Sequence, residues 1–233
     1  APFMGWQIQK NQPSVQGALA AAASAIDGTP VKVFGAGRTD SGVHALGQVG
    51  HLDMRKNLRA DKLRDGLNFH LGKHPITVLE AEIVAPDFNC RFDAQSRTYL
   101  YRILDRRMKL SLDKGRVWRI PVKMDAELMN HAAGVLLGEH DFTTFRDKQC
   151  QAKSPIKKLD ALSVARVGQE IHIHAQARSF LHRQIRSITG ALSEVGTGKL
   201  NSTHIEAMLK SCDRTMCSPV APPDGLYFMR VDY

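Results

Sequence analysis

The chain has 233 residues, 43% of them hydrophobic, and a formal net charge of +9. This length supports one large domain or two small ones with a proper core, and the hydrophobic content excludes a disordered tail. The charge favours a polyanionic partner, most often nucleic acid, although a generically basic enzyme fits it as well.

The predicted elements do not follow a regular alternation. Helices are predicted over 14–26, 61–71, 125–137, 180–195 and from Thr203, with caps at Ser14, Asp125 and a Thr203–Glu206 box. Strands are predicted over 31–34, 48–52, 76–83, 97–104, 117–122, 158–166, 170–178 and 226–231. Because the strict β-α order of a doubly wound sheet is missing, the pattern favours an α+β fold with antiparallel sheets. We expect a domain boundary near 92–95, where the elements of the first half end.

A glycine-rich loop follows the first predicted strand and presents one carboxylate. In Gly35–Ala45, Asp40 stands among three glycines, two residues after Arg38. Glycines permit a sharp bend and the close approach of a bulky ligand. A dinucleotide fingerprint is excluded because Asp40 occupies its third glycine position, and the chain has no Walker motif. From spacing alone, Asp40 is either a functional carboxylate or a turn residue.

The cysteines and histidines predict no metal site. The four cysteines form no C-x-x-C pair, so neither zinc binding nor a disulfide framework is indicated and reduced cytoplasmic thiols are the simplest interpretation. His172 and His174 share a strand face without a third ligand, and we expect that face to be exposed or to face RNA. No membrane span or signal peptide is recognisable, so we expect a cytoplasmic protein.

Several segments resemble the TruA family of tRNA pseudouridine synthases. Residues 37–45 match the signature G-R-T-D-x-G-V-H-A throughout. Residues 91–103 resemble R-F-x-A-x-x-R-x-Y-x-Y-x-I, residues 138–146 resemble G-x-H-D-F-x-x-F-R, and residues 180–186 resemble F-L-x-H-Q-V-R. The helix motif at 14–19 and the closing strand at 226–231 extend the resemblance from end to end. The first residues resemble the segment after the family's first strand, so we expect that strand to be absent.

The resemblance implies a fold and an activity. The fold would be two mixed α/β halves, 1–93 with the Asp40 loop and 94–233, whose antiparallel sheets meet around a central cleft. The activity would be the isomerisation of uridine to pseudouridine at positions thirty-eight to forty of the tRNA anticodon stem-loop, by a homodimer. This chemistry needs no cofactor and no metal.

The resemblance also implies roles for individual residues. Asp40 would be the catalytic aspartate, Tyr99 the tyrosine that stacks on the uracil and relays a proton, and Arg186 the partner of the aspartate. Arg38 would fill the space left by the flipped base, with His44 beside it. RNA contacts are further expected from three arginines: Arg146, Arg178 and Arg183. For Arg183, a solvated surface position is the alternative to a phosphate contact.

Two rival classes stay open at this point. A non-catalytic RNA-binding module would depend on its basic residues and not on Asp40. A different carboxylate enzyme, such as a glycosidase acting on a nucleoside, usually needs two carboxylates around one bond. Asp40 is the only acid in the candidate loop, and Asp53, the next acid along the chain, lies beyond the predicted return strand.

Overall fold

The structure, a computed structural model, describes residues 2–233. Helices α1–α5 span Val15–Asp27, Ala60–Leu71, Ala126–Ala133, Gln184–Gly196 and Ser202–Ser211. Strands β1–β10 span Val33–Gly35, His44–Ala45, Gly50–Leu52, Ser96–Asp105, Trp118–Ile120, Gly138–Asp141, Ile156–Leu159, Ala161–Val167, Glu170–Ala177 and Leu226–Asp232. The fold is α+β and forms two compact units. Unit 1 holds the described residues up to Gly42, Gln48–Ala94 and Tyr233; unit 2 holds Val43–Gly47 and Gln95–Asp232.

Unit 1 is built on two helices that pack against each other. The Ser14 hydroxyl accepts a hydrogen bond from the Gly17 amide, which confirms Ser14 as the cap of α1. Alanines from α1 and leucines from α2 share one apolar cluster with the chain that leads into β1. Its buried members are Ala22, Ala23, Val31, Leu67 and Leu71. This cluster supports the two-stranded antiparallel sheet of β1 and β3.

The prediction of a strand over 76–83 is wrong. This segment of unit 1 is extended but belongs to no sheet. The Asn68 side chain on α2 accepts a hydrogen bond from the Val78 amide and donates one to the Val78 carbonyl, both at 2.8 Å. One side chain therefore supplies the bonds at Val78 that a neighbouring strand would otherwise make.

Unit 2 contains a six-stranded mixed sheet. Its main path runs β2-β10-β4-β9-β8, and β5 pairs with the last residues of β4. The β2–β10 and β4–β5 pairs are parallel, and the others are antiparallel. The predicted alternation along β4 is confirmed, since Tyr99, Tyr101 and Ile103 are buried on one face. The predicted hairpin is confirmed as β8 and β9, whose Ile171 and Ile173 join that buried face, but its first strand begins at Ala161 because residues 158 and 159 belong to β7. A separate antiparallel ribbon, β6 with β7, includes part of the loop expected over 138–146.

Helices α3 and α4 pack against each other, and α3 also packs on β8. Asp125 caps α3 as predicted, by accepting hydrogen bonds from two backbone amides. Helix α4 begins four residues later than predicted. The Gln184 side chain accepts a hydrogen bond from the Leu181 amide, and Arg183 has a left-handed φ of 59°. This turn replaces the first helical turn expected from Phe180. Helix α5 is capped by a box of Asn201 and His204, not by the predicted Thr203–Glu206 box.

Candidate active site

The candidate catalytic residues divide between the two units. Asp40 belongs to unit 1, whereas Tyr99 and Arg186 belong to unit 2. Asp40 is half-buried in the loop that links β1 to β2. Gly42, two residues later, has a φ of +81°, a conformation that side chains other than glycine rarely adopt. The turn that follows the carboxylate therefore depends on a glycine.

The N-terminal segment of unit 1 holds the Asp40 loop from one side. The Trp6 amide donates a hydrogen bond to the Thr39 carbonyl at 3.0 Å. A Cβ added at Gly5 would lie 2.6 Å from that same carbonyl oxygen, so only glycine permits this approach. The Trp6 ring fills the space beside Gly35, where an added Cβ would lie 2.4 Å away. From the sequence, we expect the glycines of this loop to let a bulky ligand approach. At Gly35 that expectation is wrong, because the Trp6 ring already fills the space.

Gln48 holds the loop from its other end. Its side-chain amide donates a hydrogen bond to the Gly37 carbonyl at 2.7 Å and accepts one from the Gly37 amide at 3.3 Å. The Ala36 amide also donates to the Val49 carbonyl, at 2.9 Å. Both bonds of Gln48 join residues eleven positions apart, so no spacing rule along the sequence could have singled it out. The backbone that leads to Asp40 is thus fixed by contacts within unit 1.

In unit 2, Tyr99 is packed between two aromatic rings. Its ring stacks on Phe228, the residue opposite it on β10, with centroids 4.6 Å apart. Phe180 meets it edge-on at 5.2 Å, and the residue is only 8% exposed. These contacts leave the tyrosine little freedom to change rotamer. Tyr101 on the same face is fully buried, as predicted for a core tyrosine, and its hydroxyl donates to the Pro222 carbonyl at 2.6 Å.

Arg186 lies in the first turn of α4 and is half-buried. Its Nε donates a hydrogen bond to the Ala221 carbonyl at 2.8 Å, while its own carbonyl accepts one from the Ala221 amide at 3.1 Å. Since a guanidinium is planar and rigid, the bond from Nε fixes the orientation of the whole group. Ile185 and Ile188 of α4 are buried as predicted, whereas Leu181 is buried in the turn before the helix.

Comparison with known proteins places these motifs in one family. A sequence model described as tRNA pseudouridine synthase matches residues 3–93 and 132–233. A tRNA pseudouridine synthase A of Maricaulis maris is 59% identical over 232 residues, which cover the whole chain and 93% of the relative. Proteins of the same name from Rhodopseudomonas palustris (strain HaA2) and Bradyrhizobium sp. are 57% and 54% identical, each with 95% of its length covered. The chain belongs to the tRNA pseudouridine synthase family.

The mixed sheets of the structure fit the pseudouridine synthase fold. The family isomerises uridine to pseudouridine in tRNA, and the chain is accordingly an isomerase. No helix among residues 2–233 is both long and apolar enough to cross a membrane. Within the same residues, no group of three or more histidines, cysteines and acids could hold a metal ion.

In this pseudouridine synthase, His44 lies in unit 2 and its ring is already engaged. Its ring stacks on that of Tyr227 at 4.7 Å, and its Nε2 donates a hydrogen bond to the Gly115 carbonyl at 2.9 Å. The Tyr227 hydroxyl donates to the Arg116 carbonyl at 2.6 Å. His44 therefore contacts the segment between β4 and β5, a connection that its motif did not reveal.

The predicted RNA-binding arginines have different surroundings. Arg38 and Arg178 are exposed, and Arg146 is half-buried. Arg183 is paired with Asp147, whose carboxylate accepts from its Nη1 at 2.9 Å and lies 3.7 Å from the Nδ1 of His182. Burial opposes ionisation of Asp147, but the hydrogen bond from the Gln149 amide and the charge of Arg183 hold its pKa below the usual range. Asp147, which the sequence reasoning missed, thus ties down the turn that begins α4.

Proposed function

We propose that this chain converts uridine to pseudouridine at positions thirty-eight to forty of the tRNA anticodon stem-loop, with Asp40 as the catalytic carboxylate. The observation that carries the proposal is the construction of the Asp40 loop. Its backbone is held by Trp6 and Gln48 before any substrate arrives. A carboxylate on a preorganised loop is what a reaction with a single catalytic acid group requires.

The reaction breaks the bond between ribose C1′ and N1 of uracil and forms one between C1′ and C5. In one route the Asp40 carboxylate attacks C1′ and uracil leaves with the bonding electrons; C5 of the rotated base then displaces the carboxylate. In the other route Asp40 removes the proton from ribose C2′ while uracil leaves C1′ with the bonding electrons. C5 of the rotated base then adds to C1′, and Asp40 returns the proton to C2′. In both routes the proton on C5 is finally lost and N1 gains one, so no oxidant or reductant is needed.

Tyr99 and Arg186 have supporting roles in this proposal. The phenol of Tyr99 assists removal of the C5 proton and bounds the site of the loose base. Its packing against Phe228 and Phe180 supports a fixed position. Arg186 is the partner that orients the Asp40 carboxylate, a role that the resemblance implies. A guanidinium fixed by the bond from Nε to the Ala221 carbonyl supports that role. Arg38 fills the space that the flipped nucleotide leaves in the stem, a role that its exposed side chain suits.

The rest of the tRNA is bound through its backbone. The net charge of +9 and the arginines at 146, 178 and 183 support contacts to phosphate. The resemblance further supports a homodimer that works in the cytoplasm. Light scattering of the purified protein measures the oligomeric state directly.

The test is release of tritium from tRNA that carries uridine labelled at C5. We expect release by the parent and by Asp53→Asn, a matched change at an exposed acid of unit 1. We expect no release by Asp40→Asn, together with unchanged binding of tRNA. Release by Asp40→Asn at the rate of the parent would refute the assignment. Tight binding without release by the parent would instead favour a non-catalytic RNA-binding module.

A further inference from the structure

The segment that connects β4 to β5 is a strongly basic surface loop with no role in the assignments above. Residues 106–117 carry five lysines and arginines and a single acid, Asp113. We infer that this loop, called here the basic loop, binds the phosphate backbone of tRNA and that His44 and Tyr227 hold it in place. The inference rests on the proposed function for the identity of the RNA.

The cations of the basic loop are available for a ligand. The side chains of Arg107, Lys109, Lys114 and Arg116 are exposed. Within the described residues, none of the four makes an ion pair or a side-chain hydrogen bond. Elsewhere many arginines are engaged by acids, as Arg102 is by Glu170 at 2.6 Å. Charges that no acid neutralises and that share one loop are suited to a polyanion.

The backbone of the basic loop is tied down although its side chains project freely. At its start, Nη1 of Arg119 donates a hydrogen bond to the Arg107 carbonyl at 2.8 Å. At its end, His44 and Tyr227 donate to the carbonyls of Gly115 and Arg116. A loop that is ordered before binding loses less conformational entropy when it meets its ligand.

The attachment at His44 and Tyr227 is itself supported from the sheet. Nη1 of Arg102 donates to the Tyr227 hydroxyl at 3.3 Å, and its guanidinium lies 5.6 Å from the centre of the Tyr227 ring. Glu170 accepts two hydrogen bonds from Arg102, at 2.6 and 2.8 Å. The Tyr227 ring on which His44 stacks is therefore itself held by Arg102, which Glu170 holds in turn.

The attachment joins two functional parts of the chain. His44 follows Asp40 by four residues and belongs to the same signature motif. A residue that follows the catalytic carboxylate so closely thus also fixes the loop that would hold the RNA backbone. His44 is accordingly a positioning residue, and the motif's histidine does not need to contact a base.

The first experiment neutralises the loop. We expect the triple variant Arg107→Gln, Lys109→Gln, Lys114→Gln to weaken binding of unmodified tRNA by about 100-fold at 0.1 M salt, if each side chain binds one phosphate. The slope of log affinity against log salt should become shallower by about 2 for the same reason. The matched control removes three equally exposed charges from unit 1: Lys32, Lys62 and Lys73, each changed to Gln. This control should retain most of the affinity and of the slope.

The second experiment loosens the loop without changing its charge. In Tyr227→Phe the hydroxyl that donates to the Arg116 carbonyl is lost. We expect about fivefold weaker binding of tRNA, the equivalent of one net hydrogen bond, at an unchanged salt slope. Trypsin, which cuts after lysine and arginine, should cleave the loop faster than in the parent, while circular dichroism confirms that the variant is folded.

The loop and the proposed function can fail separately. A triple variant with the affinity and the salt slope of the parent would overturn the loop as a phosphate-binding surface, even where the parent forms pseudouridine. Equal losses in the triple variant and its control would also overturn it, because net charge alone would then explain binding. Conversely, a parent that releases no tritium but loses binding in the triple variant would refute the proposed function and leave the loop assignment standing.

Discussion

Replacing Gln48 with alanine tests whether catalysis requires the preformed shape of the Asp40 loop. The change removes the two hydrogen bonds that hold the Gly37 backbone, at 2.7 and 3.3 Å. Each bond contributes about 1 kcal/mol net, so the native conformation of the loop loses about 2 kcal/mol of stabilisation. If the transition state needs that conformation, the same energy must be supplied during the reaction. We therefore expect kcat/KM to fall about 30-fold, since 1.4 kcal/mol corresponds to a factor of ten.

The assay is tritium release at subsaturating tRNA, paired with unfolding in urea. Gln12→Ala is the matched control, because Gln12 is an exposed glutamine of unit 1 with no side-chain hydrogen bond among the described residues. Its rate should equal that of the parent. The reasoning is refuted if Gln48→Ala keeps the kcat/KM of the parent while its free energy of unfolding falls by about 2 kcal/mol.

Two further predictions concern the stability of unit 2. Asp105→Asn removes a buried carboxylate that accepts two hydrogen bonds from Arg166. We expect the free energy of unfolding at pH 7 to fall by about 2 to 3 kcal/mol. The loss is modest because the Arg166 side chain is 36% exposed and its charge is partly screened by solvent. Burial opposes ionisation of Asp105, but Arg166 and a backbone amide hold its pKa below the usual value. The stabilisation by Asp105 is therefore complete above about pH 4 and is lost as the pH falls through its folded-state pKa. In acid, the free energies of unfolding in urea of the parent and the variant should become equal. A difference between them that persists in acid would contradict this account. Burial also raises the pKa of Tyr101, which stays protonated and donates to the Pro222 carbonyl. Tyr101→Phe should cost about 1 to 2 kcal/mol in thermal unfolding, whereas an unchanged melting temperature would argue against that bond.

Much of the fold follows from local patterns. The alternation along β4 and β9 and the caps Ser14 and Asp125 are visible in the sequence, because they depend on neighbours along the chain. The errors occur where a distant or unexpected side chain intervenes. Asn68 bonds to both backbone groups of Val78 in the segment predicted as a strand.

The sequence alone predicted which residue types form the candidate site. The run from Gly37 to Ala45, with Tyr99 and Arg186, carries the residue types of the family, and the comparison with relatives confirms that membership. The domain bounds at 93 and 94 and the roles of these residues remain predictions. The tertiary structure alone decided which contacts hold the candidate residues. The Gln48 bonds to Gly37, the Asp147 pair with Arg183 and the His44 contact with the basic loop join residues 11, 36 and 71 positions apart. Such contacts exist only after the chain has folded, because no periodicity of helix or strand reaches over these separations.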